Sequence, residues 1–174
     1  MGNIRGFSLI ELLVVIGIIG VLATLAVVSF IYTREYAKIT KAQGDLTEIH
    51  TATSMLADDC GTWPGHQEIE EITSSNTNEI CGDGCSFGIS DPEAGIEDID
   101  GTYDGWTGPY IENIPLDPWG NEYFFDTDYS INANNEPCNG GSGCSYAVVV
   151  GSYGPDRVGR NQYNGDDVIK IIAK

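Results

Sequence analysis

Residues 151–167 read GSYGPDRVGRNQYNGDD, which places Asp156, Asp166 and Asp167 on one run punctuated by glycine. Such a run suits calcium, which takes roughly six to eight hard oxygen ligands from carboxylates and backbone carbonyls on a flexible loop. The plainer reading is an acidic connection between two strands that holds no metal. Arg157 and Arg160 sharpen the choice, because two cations within the run can form salt bridges to the same aspartates in a metal's place.

A second carboxylate stands apart. Glu11 interrupts GFSLIELLVVIGIIGVLATLAVV (6–28), a stretch apolar enough to span a bilayer as a helix. An ionisable group in such a segment is costly, is usually paired, and is a functional candidate by default. A helix macrodipole acting on an N-terminal acid is worth only about 0.3–1 kcal/mol. That is too little to account for the residue.

The five cysteines, Cys60, Cys81, Cys85, Cys138 and Cys144, all lie outside the apolar stretch. Cysteine usage of this kind beside an N-terminal membrane segment fits an oxidising, extracytoplasmic compartment. Cys81–Cys85 and Cys138–Cys144 can each close a small loop, whereas Cys60 with Cys81 or Cys85 would pin the end of a long helix. Spacing does not choose between them. There is no CxxC pair, only His50 and His66 stand by to assist a zinc site, and no CxxCH exists for covalent haem. Nor is there a nucleophile–base pair, a phosphate-cradling glycine motif or a catalytic-metal spacing, so no enzyme is expected. His50 is placed on the polar side of the helix and His66 in a loop. A net charge of −18 argues against nucleic acid, which needs clustered lysine and arginine.

The elements that carry these residues follow from periodicity. The apolar stretch runs without a break into YTREYAKITKAQGDLTEIHTATSMLADD, where Ile39, Ala42, Leu46, Ile49, Thr53 and Leu56 recur at helical steps. One helix from about Ser8 to about Asp58 is predicted, membrane-like over 7–31 and amphipathic over 32–58, with Gly44 its weak point. Gly17 and Gly20 permit close packing or local melting of its front half. Residues 59–174 then form a globular domain, beginning with an irregular acidic insertion over 65–108 that carries one short helix near 91–98. Strands are predicted at Glu122–Phe125, Ser145–Gly151 and Val168–Ile172. Three antiparallel strands packed on the amphipathic half of the helix make an α+β domain.

The front end also resembles a known family. Arg5-Gly6-Phe7-Ser8-Leu9-Ile10-Glu11 looks like the class III signal of type IV pilins and type II secretion pseudopilins. The resemblance implies a 1–6 prepilin leader, cleavage between Gly6 and Phe7 by a prepilin peptidase, and N-methylation of Phe7. Cleavage exposes an α-amino group about one helical turn from Glu11, whose charge can neutralise the carboxylate. In these families the amine is supplied by a neighbouring subunit, so Glu11 sets the register of assembly. Ile114-Pro-Leu-Asp-Pro-Trp-Gly-Asn-Glu-Tyr123 is similar to a motif of the major pseudopilins, and Gly61-Thr-Trp-Pro64 sits where that family has a GxYP element. Ser152-Tyr-Gly-Pro-Asp156, followed by Asp167-Val-Ile, looks like the family's calcium loop, here 152–167. The resemblance assigns side-chain oxygens to Asp156, Asp166 and Asp167 and carbonyls to Tyr153 and Val158. It also implies a type IV pilin-like fold and a homopolymeric filament. Minor pilins or pseudopilins and an inner-membrane assembly platform would be its partners. The precursor would lie in the inner membrane with its C-terminal domain in the periplasm. A periplasmic pseudopilus driving protein export is the first expectation. An extracellular type IV pilus for adhesion, motility or DNA uptake is the alternative. A conductive filament and a signal-anchored module that never polymerises stand behind both.

Overall fold

The structure, a computed structural model, describes residues 8–69, 78–82, 84–139 and 141–174. The chain divides into two compact units, Met1–Ala37 and Lys38–Lys174. One helix, α1 (Leu9–Cys60), begins in the first and ends in the second, passing through Gly44 without interruption.

In the first unit α1 offers Leu9, Ile10, Leu13, Ile16, Val21 and Leu25 to the surroundings, all more than half exposed. By length and composition it is apolar enough to cross a membrane. Hydroxyls within it turn inward to the backbone, Thr24 to the Val21 carbonyl at 2.7 Å and Thr33 to the Ser29 carbonyl at 2.9 Å. That leaves few polar groups facing an apolar medium.

In the second unit the same helix buries one face. Ala42, Leu46, Ile49, Ala52, Thr53 and Leu56 are each at most 1% exposed. Ile39, included in the predicted stripe, is 36% exposed, so the buried face starts one turn later. Tyr123 anchors the helix from the far side by donating to Asp45 Oδ2 at 2.8 Å, the same oxygen that Lys41 reaches at 2.5 Å.

The main sheet has three antiparallel strands in the order β3 (Phe124–Ile131), β4 (Ser145–Ser152) and β5 (Val168–Ala173). β4 is central and covered on both faces, which is why it reads as a near-continuous apolar run. Val148 and Val150 join the core that contains Leu46, Ile49 and Phe125. Ala147 and Val149 join a second cluster with Cys81, Phe124, Tyr129 and Ile131. This α+β arrangement is the pilin-like one expected.

Three features differ from the sequence reading. First, β3 runs on to Ile131, six residues past the predicted end, through the polar run Asp126-Thr127-Asp128 and an irregularity in register. Second, the described residues of 65–108 are largely irregular but not merely a connection, since Ile80, Ile89, Ala94 and Ile96 are at most 2% exposed and complete the core. The short helix expected near 91–98 is a single 3-10 turn, Pro92–Ala94, ended by Gly95 at φ 76°. Third, a two-residue ladder pairs β1 (Thr62–Trp63) with β2 (Gln67–Glu68), an element the sequence did not suggest.

Candidate functional site

The two cleavage residues, Gly6 and Phe7, lie outside the described residues. Glu11 is described, and its carboxylate caps its own helix: Oε2 accepts from the Ser8 amide at 2.9 Å, while Ser8 Oγ accepts from Ile10 N at 3.4 Å. This Ser-x-x-Glu arrangement is a capping box, which satisfies donors that the first turn otherwise leaves unpaired. Its sequence signal is Ser8-Leu-Ile-Glu11, a hydroxyl followed three residues later by Glu ahead of an apolar run. Capping accounts for the direction of the side chain, and the apolar helix that follows it is what makes a carboxylate there costly.

The candidate calcium loop connects β4 to β5 and is rooted by the turn at Asp117-Pro-Trp-Gly-Asn121. Asp117, 4% exposed, accepts at Oδ1 from the amides of Trp119 (2.9 Å) and Asn121 (2.8 Å). Its other oxygen accepts from Ser152 Oγ at 2.6 Å, and that hydroxyl in turn accepts from Gly154 N at 3.1 Å. The Leu-Asp-Pro-Trp-Gly-Asn turn therefore fixes the first residues of the loop. Gly154 adopts φ +66°, and a Cβ there would run into the Asp166 carbonyl, so the two ends of the loop meet backbone to backbone.

Within the loop the three predicted aspartates are gathered by Asn164. Asp156 accepts from Val158 N at 2.8 Å and from Asn164 Nδ2 at 3.0 Å. Asp166 Oδ2 accepts from Asp156 N at 3.3 Å, and its own amide donates to Asn164 Oδ1. Asp167 Oδ2 takes the Tyr129 hydroxyl at 2.5 Å and the Asn164 amide at 3.2 Å. Asp167 Oδ1 is buried without a hydrogen-bond partner. Burial pushes the Asp167 carboxyl up to about 7; the Tyr129 and Asn164 bonds oppose this, and the charges of Asp166 and Asp156 add to it. Among the described residues, no three His, Cys, Asp or Glu side chains converge to hold a metal as they stand. The donor set nonetheless fits calcium in kind, hard oxygens with one buried carboxylate oxygen unspent. Tyr153 is held by its ring, stacked on Phe124 at 4.5 Å with its hydroxyl on Glu79 Oε1 at 2.6 Å, and Val158 lies at the loop's exposed side.

The loop arginines are drawn to neighbouring segments. Arg157 Nη2 donates to the Trp119 carbonyl and Arg160 Nη1 to the Gly84 carbonyl. The disulfides are the two short ones, Cys81–Cys85 with Cα atoms 5.3 Å apart and Cys138–Cys144 at 6.0 Å. Cys60, the other candidate, is a free thiol beside the Tyr110 hydroxyl at 4.0 Å. Both histidines have structural settings. His50 is half-buried rather than on a fully polar side, and that burial, then the charge of Lys170, lowers its pKa. His66 stacks on Tyr103 at 3.8 Å and pairs with Thr102 Oγ1 at 2.8 Å.

The profile of the prokaryotic N-terminal methylation motif matches residues 1–27, the segment that carries Glu11. The type II secretion system core protein G of Pseudomonas aeruginosa is 31% identical to this chain over 119 residues, 68% of this chain and 70% of the relative. The chain belongs to the type II secretion system core protein G family. No solved structure matches it. Membership makes the chain a pilin-like structural subunit, in keeping with a long apolar-headed helix joined to a small antiparallel sheet.

Proposed function

We propose that this core protein G relative polymerises into a periplasmic pseudopilus that moves folded proteins out through a type II secretion system. The observation that carries the reading is a carboxylate at the head of a helix whose apolar side chains are exposed, within a chain of this family. Because that surface is already out of water in the membrane, close packing of the helices against one another, rather than transfer from water, holds the copies together. Glu11 then finds a counter-charge in the amine freed at Phe7 of a neighbour, after a prepilin peptidase has cut behind Gly6. Before assembly the chain sits in the inner membrane by 7–31 with its C-terminal domain in the periplasm. There it is handed to an assembly platform and to minor pseudopilins.

Calcium is the cofactor in this reading. Asp156, Asp166 and Asp167 would hold it, with the carbonyls of Tyr153 and Val158. Bound calcium would supply the positive charge that a buried, half-satisfied Asp167 beside two further carboxylates otherwise lacks. The chain's own part is done by Asp117 and Ser152, which fix the loop's root, and by Tyr129, which orients Asp167. Deleting the gene tests the reading. Secreted proteins trapped in the periplasm support a pseudopilus; normal secretion together with loss of long extracellular fibres would favour a surface pilus instead.

A further inference from the structure

A cavity of about 650 Å³ opens beside the loop, lined by Leu116, Gly120 and Glu122 on one side and by Tyr153, Arg157 and Arg160 on the other. Its chemistry is unusual for this chain. The sequence holds 26 acidic and eight basic residues, and after Lys41 the only cations are Arg157, Arg160, Lys170 and Lys174. Both guanidiniums of the Lys38–Lys174 unit thus face one concavity. Two guanidiniums against the single Glu122 carboxylate leave its lining net positive on an otherwise strongly acidic molecule.

The backbone keeps them there at a cost. Arg157 has φ 59° and Arg160 φ 32°, in the left-handed region where a side-chain-bearing residue is less stable by about 1–2 kcal/mol. Glycine takes that conformation freely at Gly154 in the same loop. The carbonyls of Trp119 and Gly84 then tether each guanidinium to a different wall. Arginine carries five N–H donors in a fixed fork suited to carboxylates, and the Trp119 carbonyl engages one nitrogen of Arg157. The rim at Gly120 carries no side chain to block an approach.

We propose that this cavity receives a carboxylate side chain of a second copy of the chain, making a lateral contact between subunits. The inference rests on the polymerising-subunit reading. Charge complementarity selects the occupant: copies brought side by side repel through their acidic surfaces, and a concavity where two guanidiniums meet one lining carboxylate is a place where a neighbour's carboxylate can be paired. Such a contact is charge-assisted and loosens as salt screens it.

The test uses the full chain expressed in its secretion-competent host, with a photo-crosslinking amino acid in place of Leu116, a cavity residue that is 57% exposed. Filaments recovered from the periplasm of lysed cells should contain a crosslinked dimer, joined through an Asp- or Glu-containing peptide of the second copy. Its yield should fall at least fivefold in an Arg157→Gln, Arg160→Gln double variant whose melting temperature is unchanged. If that variant does not fold, the salt dependence of the crosslink in the otherwise native chain decides, and an unchanged yield from low to high salt overturns the proposal. Filaments that form without the Leu116 crosslink, or a crosslink to an uncharged peptide or another molecule, overturn it while leaving polymerisation intact. Failure of the native chain to form filaments at all would instead overturn the reading beneath it, and this inference with it.

Discussion

Removing Asp156 separates the calcium loop from the rest of the fold. Asp156 is exposed, and its carboxylate makes two local hydrogen bonds, to Val158 N and Asn164 Nδ2. Exposed bonds of this type contribute about 1 kcal/mol or less. Asp156→Ala should therefore lower the calcium-free melting temperature by only a few degrees. Ligand that binds the native state alone adds about 2.7 kcal/mol at a hundredfold excess over its dissociation constant. For a unit the size of Lys38–Lys174 that corresponds to a rise of roughly 8–13 °C. Calorimetric scans of the detergent-solubilised chain, with calcium and with chelator, should show that rise in the native protein and its loss in Asp156→Ala. Identical melting of the native protein in both buffers would refute the calcium assignment. A rise of equal size in the variant would refute the role of Asp156 while keeping a site elsewhere.

Other expectations follow from particular side chains. Leu46→Ala leaves a cavity where α1 meets the sheet and should cost about 2–5 kcal/mol, read as a drop of roughly 6–24 °C in calorimetry. Asp126 is completely buried; burial first, then Asp128 and Glu79, hold its carboxyl far above the usual carboxylate range. Its folded form keeps a proton that the unfolded chain gives up near pH 4, so its stabilisation is full below that pH and fades as pH rises through neutrality. His50 works the other way: its pKa is lowered, so its contribution is present above the ordinary 6.5 and is lost as pH falls below it. Asp126→Asn should flatten the fall in melting temperature between pH 7 and about 9; an unchanged slope would contradict the burial argument. Mass spectrometry of the membrane-extracted protein should find N-methylated Phe7 as its first residue, and a retained 1–6 segment in cells with prepilin peptidase would contradict the processing scheme. Alkylation under native conditions should label Cys60 and none of the other four cysteines, which are in disulfides.

The parts of the fold legible in the sequence were those governed by one rule at a time. The three- and four-residue steps from Ala42 to Leu56 give the buried face of α1, and the run Ala147–Val150 gives a strand covered on both sides. β3 was cut short because Asp126-Thr127-Asp128 has the composition of a turn. It continues because distant residues satisfy Thr127 and Asp128. Asn78 Nδ2 bonds Thr127 Oγ1 and Asp128 Oδ1, both at 2.7 Å, and Thr127 donates to Gln67 at 2.9 Å. No local pattern announces such partners. The core residues between Ile80 and Ile96 were hidden for a similar reason, since isolated apolar positions on an irregular backbone have no period. At the candidate site the ligand types were readable from the loop. Asp117 and Ser152, which hold its root, were not, because they meet only after β4 returns beside the turn at Trp119. The arginines read as possible partners of the aspartates by proximity in sequence, and the left-handed backbone at each sends them to other segments instead.

Polymerisation through the N-terminal helix is what a pseudopilus subunit must do. The decisive measurement compares the yield of filaments recovered from the periplasm and secreted protein in a deletion strain supplied with the native chain or with Glu11→Ala, at matched membrane levels. Native filaments and restored secretion, with both lost in the Glu11→Ala strain while the subunit stays folded in the membrane, are the predicted result. Normal filaments and normal secretion from the Glu11→Ala chain would contradict it.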